Sequence, residues 1–578
     1  MKRKVVLQKV LATVMALSMA AGVSISNVQL VKAEDSDPFA FDSVSDVTFP
    51  LKEKLNLTVF VNAPTTGGGT YQDNYVTDWI EEKTNIHLDY VYDVDGDDAK
   101  TKLNLVMTDP GSLPDIFLST NWSKAEVQSY GQQGLLIPLG DYLQDAPNWN
   151  RLNEVSPTRK DDLTMSDGNI YTYGDDNECF HCMFQNRMWI YMPWVEKYCD
   201  GKVPETTDEL YDFLYKVKNE DPNGNGEADE IPMTGFIGGW STDPTVWLIN
   251  SFVQCNNPLS NTNPTVGAGI VVNDGKIEYS VMKDEYKEAL RFINKLYKDG
   301  LLDNQTFTQD NTQFNAALNS ENGHKVAMYA AGGPNAGGTE FWANQDGEWQ
   351  DWAIMEPVAG PDGVRLAARN IQTYFGACIG SVSANCKYPE IAVALFDFLA
   401  SPEASNVQAY GPEGVGWDWT TEGTALDGGT PAYQAYKYDA EEYDWLGNGF
   451  DKEYKNVVYV PDACIWSRDV EQRNLVKVED PDHDTEYYLQ AAAAAYEKYS
   501  PELDSLVPDL VFEGADAQTI SEGTLTIGGY VNQATVQFIT GELDVDNDWD
   551  TYIEKLNNMG VENYLATWQS YYDAYENK

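Results

Sequence analysis

Only four histidines, His87, His181, His324 and His483, stand in a chain of 578 residues, and they are scattered. So few imidazoles do not supply the four converging ligands of a zinc centre, and no Ser/His/Asp order is visible. Cys179-Phe180-His181-Cys182 has redox-like spacing, but no second ligand pair lies nearby, so its cysteines read as buried thiols. The odd total of 7 cysteines leaves at least one unpaired. Basic residues are also few: 38 Lys and Arg face 91 Asp and Glu, giving a formal charge of −53. Such a surface repels phosphate backbones and argues against nucleic acid as a partner. Gly67-Gly68-Gly69 has neither the lysine nor the helix of a phosphate-cradling loop, and no dinucleotide fingerprint is visible. A long apolar run occurs once, from Val5 to Val23; nothing after Ala33 offers another span of about 20 residues.

That run follows Met1-Lys2-Arg3-Lys4 and leads to Val31-Lys32-Ala33 just before Glu34. Charged start, apolar middle and small-residue end make residues 1–33 an export leader rather than a membrane anchor. The leader carries five cations and no acids, so its loss takes the charge from −53 to −58. The expected location is extracellular or at the cell surface. The first cysteine is Cys179, so no lipid-bearing cysteine stands at the cleavage point.

A mature chain this long exceeds what one core usually supports, about 250 to 300 residues, so more than one domain is expected. Leu55, Leu57, Val59 and Val61 alternate as a first strand ending at Asn62-Ala63-Pro64. A helix over Tyr75 to Lys83 and a second alternation at Ile86, Leu88, Tyr90 and Tyr92 predict a parallel pair. Pro114 to Leu118 reads as a short buried strand, with Ser119-Thr120-Asn121-Trp122 at the carboxyl edge where open α/β sheets bind ligands. Tyr286, Leu290, Ile293, Leu296 and Tyr297 share one helix face, and Gly300 can cap that helix. Lys325 to Tyr329 reads as a strand closed by Gly332-Gly333-Pro334, and Ile391 to Leu399, Tyr487 to Tyr499 and the tail from Trp549 to Tyr575 as helices.

Asp221-Pro222-Asn223-Gly224-Asn225-Gly226-Glu227-Ala228-Asp229-Glu230 places oxygen side chains at every second residue around a glycine. Calcium takes six to eight oxygens on a tightly turned chain, as in the first half of an EF-hand loop. Asp221, Asn223, Asn225, Asp229 and Glu230 would give side-chain oxygens and Glu227 its carbonyl, while Pro232 stands where the closing glutamate belongs. Glu230 therefore has to close the shell early, and the ion has a structural role. Asp95-Gly96-Asp97-Asp98 and Asp544 to Asp548 lack that glycine spacing and read as solvated acidic turns.

The order of segments resembles the extracellular solute-binding proteins of carbohydrate ABC importers, especially the large subgroup of alginate-binding proteins. It rests on Leu135-Leu136-Ile137-Pro138-Leu139, Asp167-Gly168-Asn169-Ile170-Tyr171, Met188-Trp189-Ile190 before Trp194-Val195-Glu196-Lys197, and Pro204 to Leu210 ahead of the acidic loop. Tyr410 to Trp417 and Gln537 to Glu542 before Trp549-Asp550 complete it. The resemblance implies an α/β, two-lobe, periplasmic-binding-protein-like type II fold with a hinge and an interlobe ligand cleft. Residues 51–185 plus 360–410 would form one lobe and 186–359 plus 411–578 the other, after a flexible segment at 34–50. It further implies an oligosaccharide ligand, permease subunits as partners, a monomer, and no enzyme activity. Tyr191-Met192-Pro193-Trp194 stands where relatives often have Arg-x-Asp-Trp, which implies altered specificity.

Sugar sites use flat aromatic faces together with fixed hydrogen-bond groups. By position, Trp122, Trp240, Tyr374, Trp417 and Trp419 are the expected aromatic contacts, with Asn186 and Arg187 for hydroxyls or a carboxylate. Each has packing as its ordinary alternative. A secreted glycoside hydrolase and a calcium-dependent polysaccharide-binding surface protein are the rival readings; no segment singles out a catalytic carboxyl pair.

Overall fold

The computed structural model describes residues 37–63, 72, 75–120, 122–174, 180–256, 269–319, 324–333, 351–371, 374–375, 380–436, 474–479 and 485–577. The leader, Gly67 to Gly69, Asn121, Cys179, Pro334 and His483 lie outside them. Residues 41–578 form one compact unit, and residues 1–40 are a separate one.

The first lobe is built on strands β1 (Leu55–Ala63), β2 (Ile86–Asp95) and β3 (Ile116–Leu118), with helices α1 (Tyr75–Thr84), α2 (Gly96–Met107) and α3 (Lys124–Gln132). Alternation in β1 buries Leu57, Val59 and Val61, and the period-2 pattern of β2 matches it in parallel register, Leu55 opposite Ile86. Sheet order is β2-β1-β3, closed by a fourth strand from far along the chain, Gly380–Val382, which pairs antiparallel with β3. The expected parallel sheet thus carries an antiparallel edge, as mixed sheets commonly do. Asp95 to Asp98 do not form a turn: the backbone passes from β2 directly into α2, whose first turn holds Asp97 and Asp98. Acids suit the positive end of a helix dipole. Val44, in the stretch read as flexible, is 4 % exposed.

In the second lobe, β4 (Met188–Tyr191) lies between β5 (Met328–Ala330) and β6 (Trp352–Met355), antiparallel to both. Helix α4 (Asp284–Lys298) turns Tyr286, Leu290, Ile293 and Leu296 inward, and each such side chain contributes roughly 1.5–3 kcal/mol on full burial. Gly300 follows with φ +69°, the left-handed conformation that glycine takes without strain. The closing strand of the first sheet is β7 (Gly380–Val382), and α5 (Pro389–Leu399) follows it. Two strands beyond it, β8 (Trp417–Trp419) and β9 (Tyr433–Ala435), make an antiparallel ribbon. The chain then returns to the second lobe through α6 (Thr485–Glu497), α7 (Gly529–Thr540) and α8 (Val561–Glu576), whose Tyr496, Phe538 and Trp568 join one core with Met188, Ile190 and Met355.

Between β7 and the first sheet's helices, Asp397 of α5 ties the lobe together. Its carboxylate accepts from the backbone of Asn148 (3.2 Å) and Trp149 (2.8 Å) and from the Tyr173 hydroxyl (2.9 Å). Fully buried Arg159 stacks over Trp149 at 4.1 Å.

Candidate functional site

Two of the chain's passages between the lobes lie side by side among the described residues. The first runs from Tyr173, bonded to Gly380 of the first sheet, to β4; the second runs from β6 to β7. They are lashed to each other: Asn370 donates its backbone N–H to Met183 O (2.8 Å) and its side-chain amide to Cys182 O (3.1 Å). On the second crossing, Ala367 is still anchored to Tyr499 of the second lobe, whereas the Tyr374 N–H already bonds Asp162 of the first at 2.7 Å. The chain thus changes lobe between Ala367 and Tyr374.

The expected contact residues fall into two groups around this hinge. Trp240 is 45 % exposed, beside the first crossing: its indole N–H donates to Gln185 (2.9 Å) and its carbonyl accepts from Gly332 (2.9 Å). A Cβ on Gly332 would stand 2.3 Å from the Trp240 ring, so this approach requires glycine. Gly238 (φ +108°) and Ser241 (φ +55°) bracket the tryptophan, and the strained turn turns its face outward. His181, nearly buried, meets the ring at 6.2 Å edge to face. Trp419, 47 % exposed, stands edge-on to Trp417 at 4.9 Å on the β8–β9 ribbon, away from these contacts in the chain.

The remaining five are interior. Arg187 is fully buried, donating to the carbonyls of Gly332 and His181, and burial lowers its pKa to about 10. It clamps the crossing to the end of β5. Asn186 is 8 % and Tyr374 5 % exposed. Trp417 is wholly buried with its N–H on Gly411 O. Trp122 packs on Phe117 at 5.0 Å and Tyr130 at 5.3 Å.

At the carboxyl edge of β3 the sequence reading placed Ser119 and Thr120 beside Trp122 but took only the tryptophan as a contact. Ser119 holds φ +50°, and Ser119 Oγ, Thr120 Oγ1 and Trp122 Nε1 are all buried without a hydrogen-bond partner among the described residues. Strained backbone and unpaired buried polar atoms gather at functional edges. The signal available in sequence was the strand-end position itself; residue type pointed only to the tryptophan.

The cysteine reading needs one correction. Cys182 is disulfide-bonded rather than a free thiol, whereas Cys199, Cys255 and Cys386 are free.

In the acidic loop, Asp221 (φ +48°) accepts N–H groups from Gly224 (2.8 Å), Asn225 (3.2 Å) and Gly226 (3.0 Å), and Asn225 Oδ1 accepts from Glu227 N (2.7 Å). Gly224 and Gly226, at φ +73° and +83°, permit the tight coil. Glu230 is 3 % exposed with Oε1 unpaired; burial, then Asp221 and Asp229, push its pKa up. Asp229 is held below the usual range chiefly by Lys325, 2.6 Å away. Among the described residues no three His, Cys, Asp or Glu already converge as a metal site. The amide groups of Asn223 and Asn225 point N–H toward Asp229, at 3.5 and 3.1 Å, and rotation of each amide presents oxygen instead. An unpaired buried carboxylate oxygen beside two further carboxylates fits a divalent cation.

Among the described residues no helix is long and apolar enough to cross a membrane. The fructooligosaccharide ABC transporter substrate-binding protein FusA of Streptococcus pneumoniae serotype 4 is 26 % identical over 550 residues, 92 % of each chain. The fold is that of FusA solved with kestose (TM-score 0.67, 23 % identity, covering 90 % of this chain and 100 % of that one). An EF-hand mutant of FusA, solved with fructo-nystose, superposes with TM-score 0.66 at 23 % identity over the same shares. A milk-oligosaccharide-binding, ABC-transporter-associated protein of Bifidobacterium longum infantis gives 0.71 at 20 %, covering 90 % and 99 %. The alginate-binding protein AlgQ2 without calcium gives 0.61 at 18 %, covering 91 % and 99 %. Residues 62–406, more than half of the chain, match one family, and the chain belongs to it: the bacterial extracellular solute-binding proteins.

Proposed function

We propose that this protein is an exported receptor that captures an oligosaccharide between its two lobes and delivers it, unaltered, to the membrane subunits of an ABC importer. The observation that carries this reading is the pair of hydrogen-bonded crossings between two separately cored lobes, with the exposed Trp240 ring beside the hinge. A pivoting pair of lobes closes on a ligand by differential affinity for the closed state. The indole face takes the apolar C–H face of a pyranose or furanose ring, and the buried, unpaired polar atoms of Ser119, Thr120 and Trp122 at the carboxyl edge of β3 are further candidate hydrogen-bonding groups. The lobes proposed from sequence are 51–185 plus 360–410 and 186–359 plus 411–578; each of the two larger sheets falls within one of them, while Ala367 is still bonded to Tyr499 of the second lobe, which moves the 360 boundary later.

The loop at 221–230 would hold one structural calcium ion through Asp221, Asn223, Asn225, Glu227, Asp229 and Glu230. A bound dication supplies positive charge that joins carboxylates otherwise repelling each other. Export by the leader, a monomeric state and the lack of catalytic turnover belong to the same reading; FusA's description as an ABC transporter substrate-binding protein supports it.

A thermal-shift screen against oligosaccharides, peptides and calcium tests it, since a ligand of the native state raises the melting temperature by mass action. One saccharide family giving a large shift is the expected result. A peptide hit with no sugar response would replace the ligand class, and release of shortened sugars would make the protein a hydrolase.

A further inference from the structure

A nearly buried lysine sits where the lobes meet beside the second crossing. Lys124, in the first turn of α3, has a side chain 7 % exposed; its ammonium lies 2.5 Å from Asp162 of its own lobe and 2.8 Å from Asp509 of the second. One turn on, Gln128 donates to Glu513 of the second lobe at 2.6 Å, and the Ser166 hydroxyl also donates to Glu513. The second-lobe segment is held at this point, because Val507 ahead of Asp509 and Leu510 and Phe512 between the two acids are set in that lobe's core. Likewise Val127 fixes α3 in the first lobe's core. Burial opposes the Lys124 charge, yet Asp509 and Asp162 hold its pKa above the ordinary lysine value.

We propose that Lys124, paired with Asp509 across the lobes, is a latch that sets the balance between open and closed forms, and so sets ligand affinity through closure. The inference rests on the lobe-closure reading. Without the lysine, Asp162 and Asp509 would face each other as like charges; with it, opening must separate a nearly buried ion pair. Apparent dissociation constants scale inversely with the binding-competent fraction, so a latch that raises this fraction tenfold tightens binding about tenfold.

The test is small-angle scattering of the purified protein with no sugar present, wild type beside Lys124→Met, Asp509→Asn and the double variant, each with a thermal melt. Both single variants should melt cooperatively and show a larger radius of gyration, and the double variant should open no further than Lys124→Met. Asp509→Asn conserves volume and leaves the Lys124–Asp162 pair intact, so it stays readable if Lys124→Met does not fold. Unchanged radii in folded variants would overturn the proposal and make the contact a fixed part of the hinge. Because no sugar is used, the two readings fail separately: opening in Asp509→Asn without any sugar binding keeps the latch, while sugar binding with unchanged radii removes it.

Discussion

Trp240 and His324 show how exposure decides what an aromatic side chain can do. Trp240 keeps nearly half its surface in solvent while its N–H is fixed on Gln185, so the ring is oriented before any ligand arrives. Trp240→Ala should weaken oligosaccharide binding roughly tenfold, about 1.4 kcal/mol, with an unchanged melting temperature; isothermal calorimetry reads the first and a melt the second. His324 is the opposite case, stacked on Tyr191 at 3.5 Å and edge-on to Trp194 at 5.1 Å, where burial lowers its pKa to about 4. The unfolded chain binds this proton near pH 6.5 and the folded chain only near 4, so stability falls as pH drops through that window. Between pH 7 and 5 the group should cost about 2 kcal/mol, and His324→Gln should lose that part of the slope in urea titrations at the two pH values.

Arg187, Trp417 and Trp122 mark the limit of reading single residues. Sequence gives their type and chain position, but a tryptophan beside a glycine turn looks the same whether it faces a cleft or, as with Trp417, is wholly buried. Burial is fixed by residues distant in sequence: Arg187 bonds Gly332, and Trp417 pairs with Ala435 across the ribbon.

Elements were more legible than residues. Period-2 alternation located β1 and β2, and the helical stripe of Tyr286 to Leu296 located α4, because these patterns need only local geometry. The antiparallel edge β7 was not legible, since its pairing joins residues as far apart in the chain as Ile116 and Val382. Asp397 depends on similar distance, capping residues 148 and 149 from α5. Asp397→Ala should lower stability by about 3 kcal/mol by stranding those buried donors, read as a shifted denaturation midpoint. The acidic loop was legible as a motif, and its coil bears out the turn geometry that Gly224 and Gly226 allow. Calcium at 100-fold over its dissociation constant should raise stability by about 2.7 kcal/mol, and Asp221→Ala should abolish the calcium-dependent rise in melting temperature.

At the scale of the whole molecule, the proposed function makes two cores, two lashed crossings and an exposed indole a device for closing on a ligand. The net charge of −53 favours solubility and opposes long polyanions such as nucleic acid. The latch at Lys124 places part of the closing free energy outside the ligand's own contacts, so affinity and specificity can be set by separate residues. Calorimetric titration of the purified protein with fructooligosaccharides, milk oligosaccharides, alginate oligosaccharides and control peptides tests the central claim most directly. Saturable binding of one saccharide class, with the sugar recovered intact, is the result predicted; no binding to any saccharide, or recovery of cleaved sugar, would contradict it.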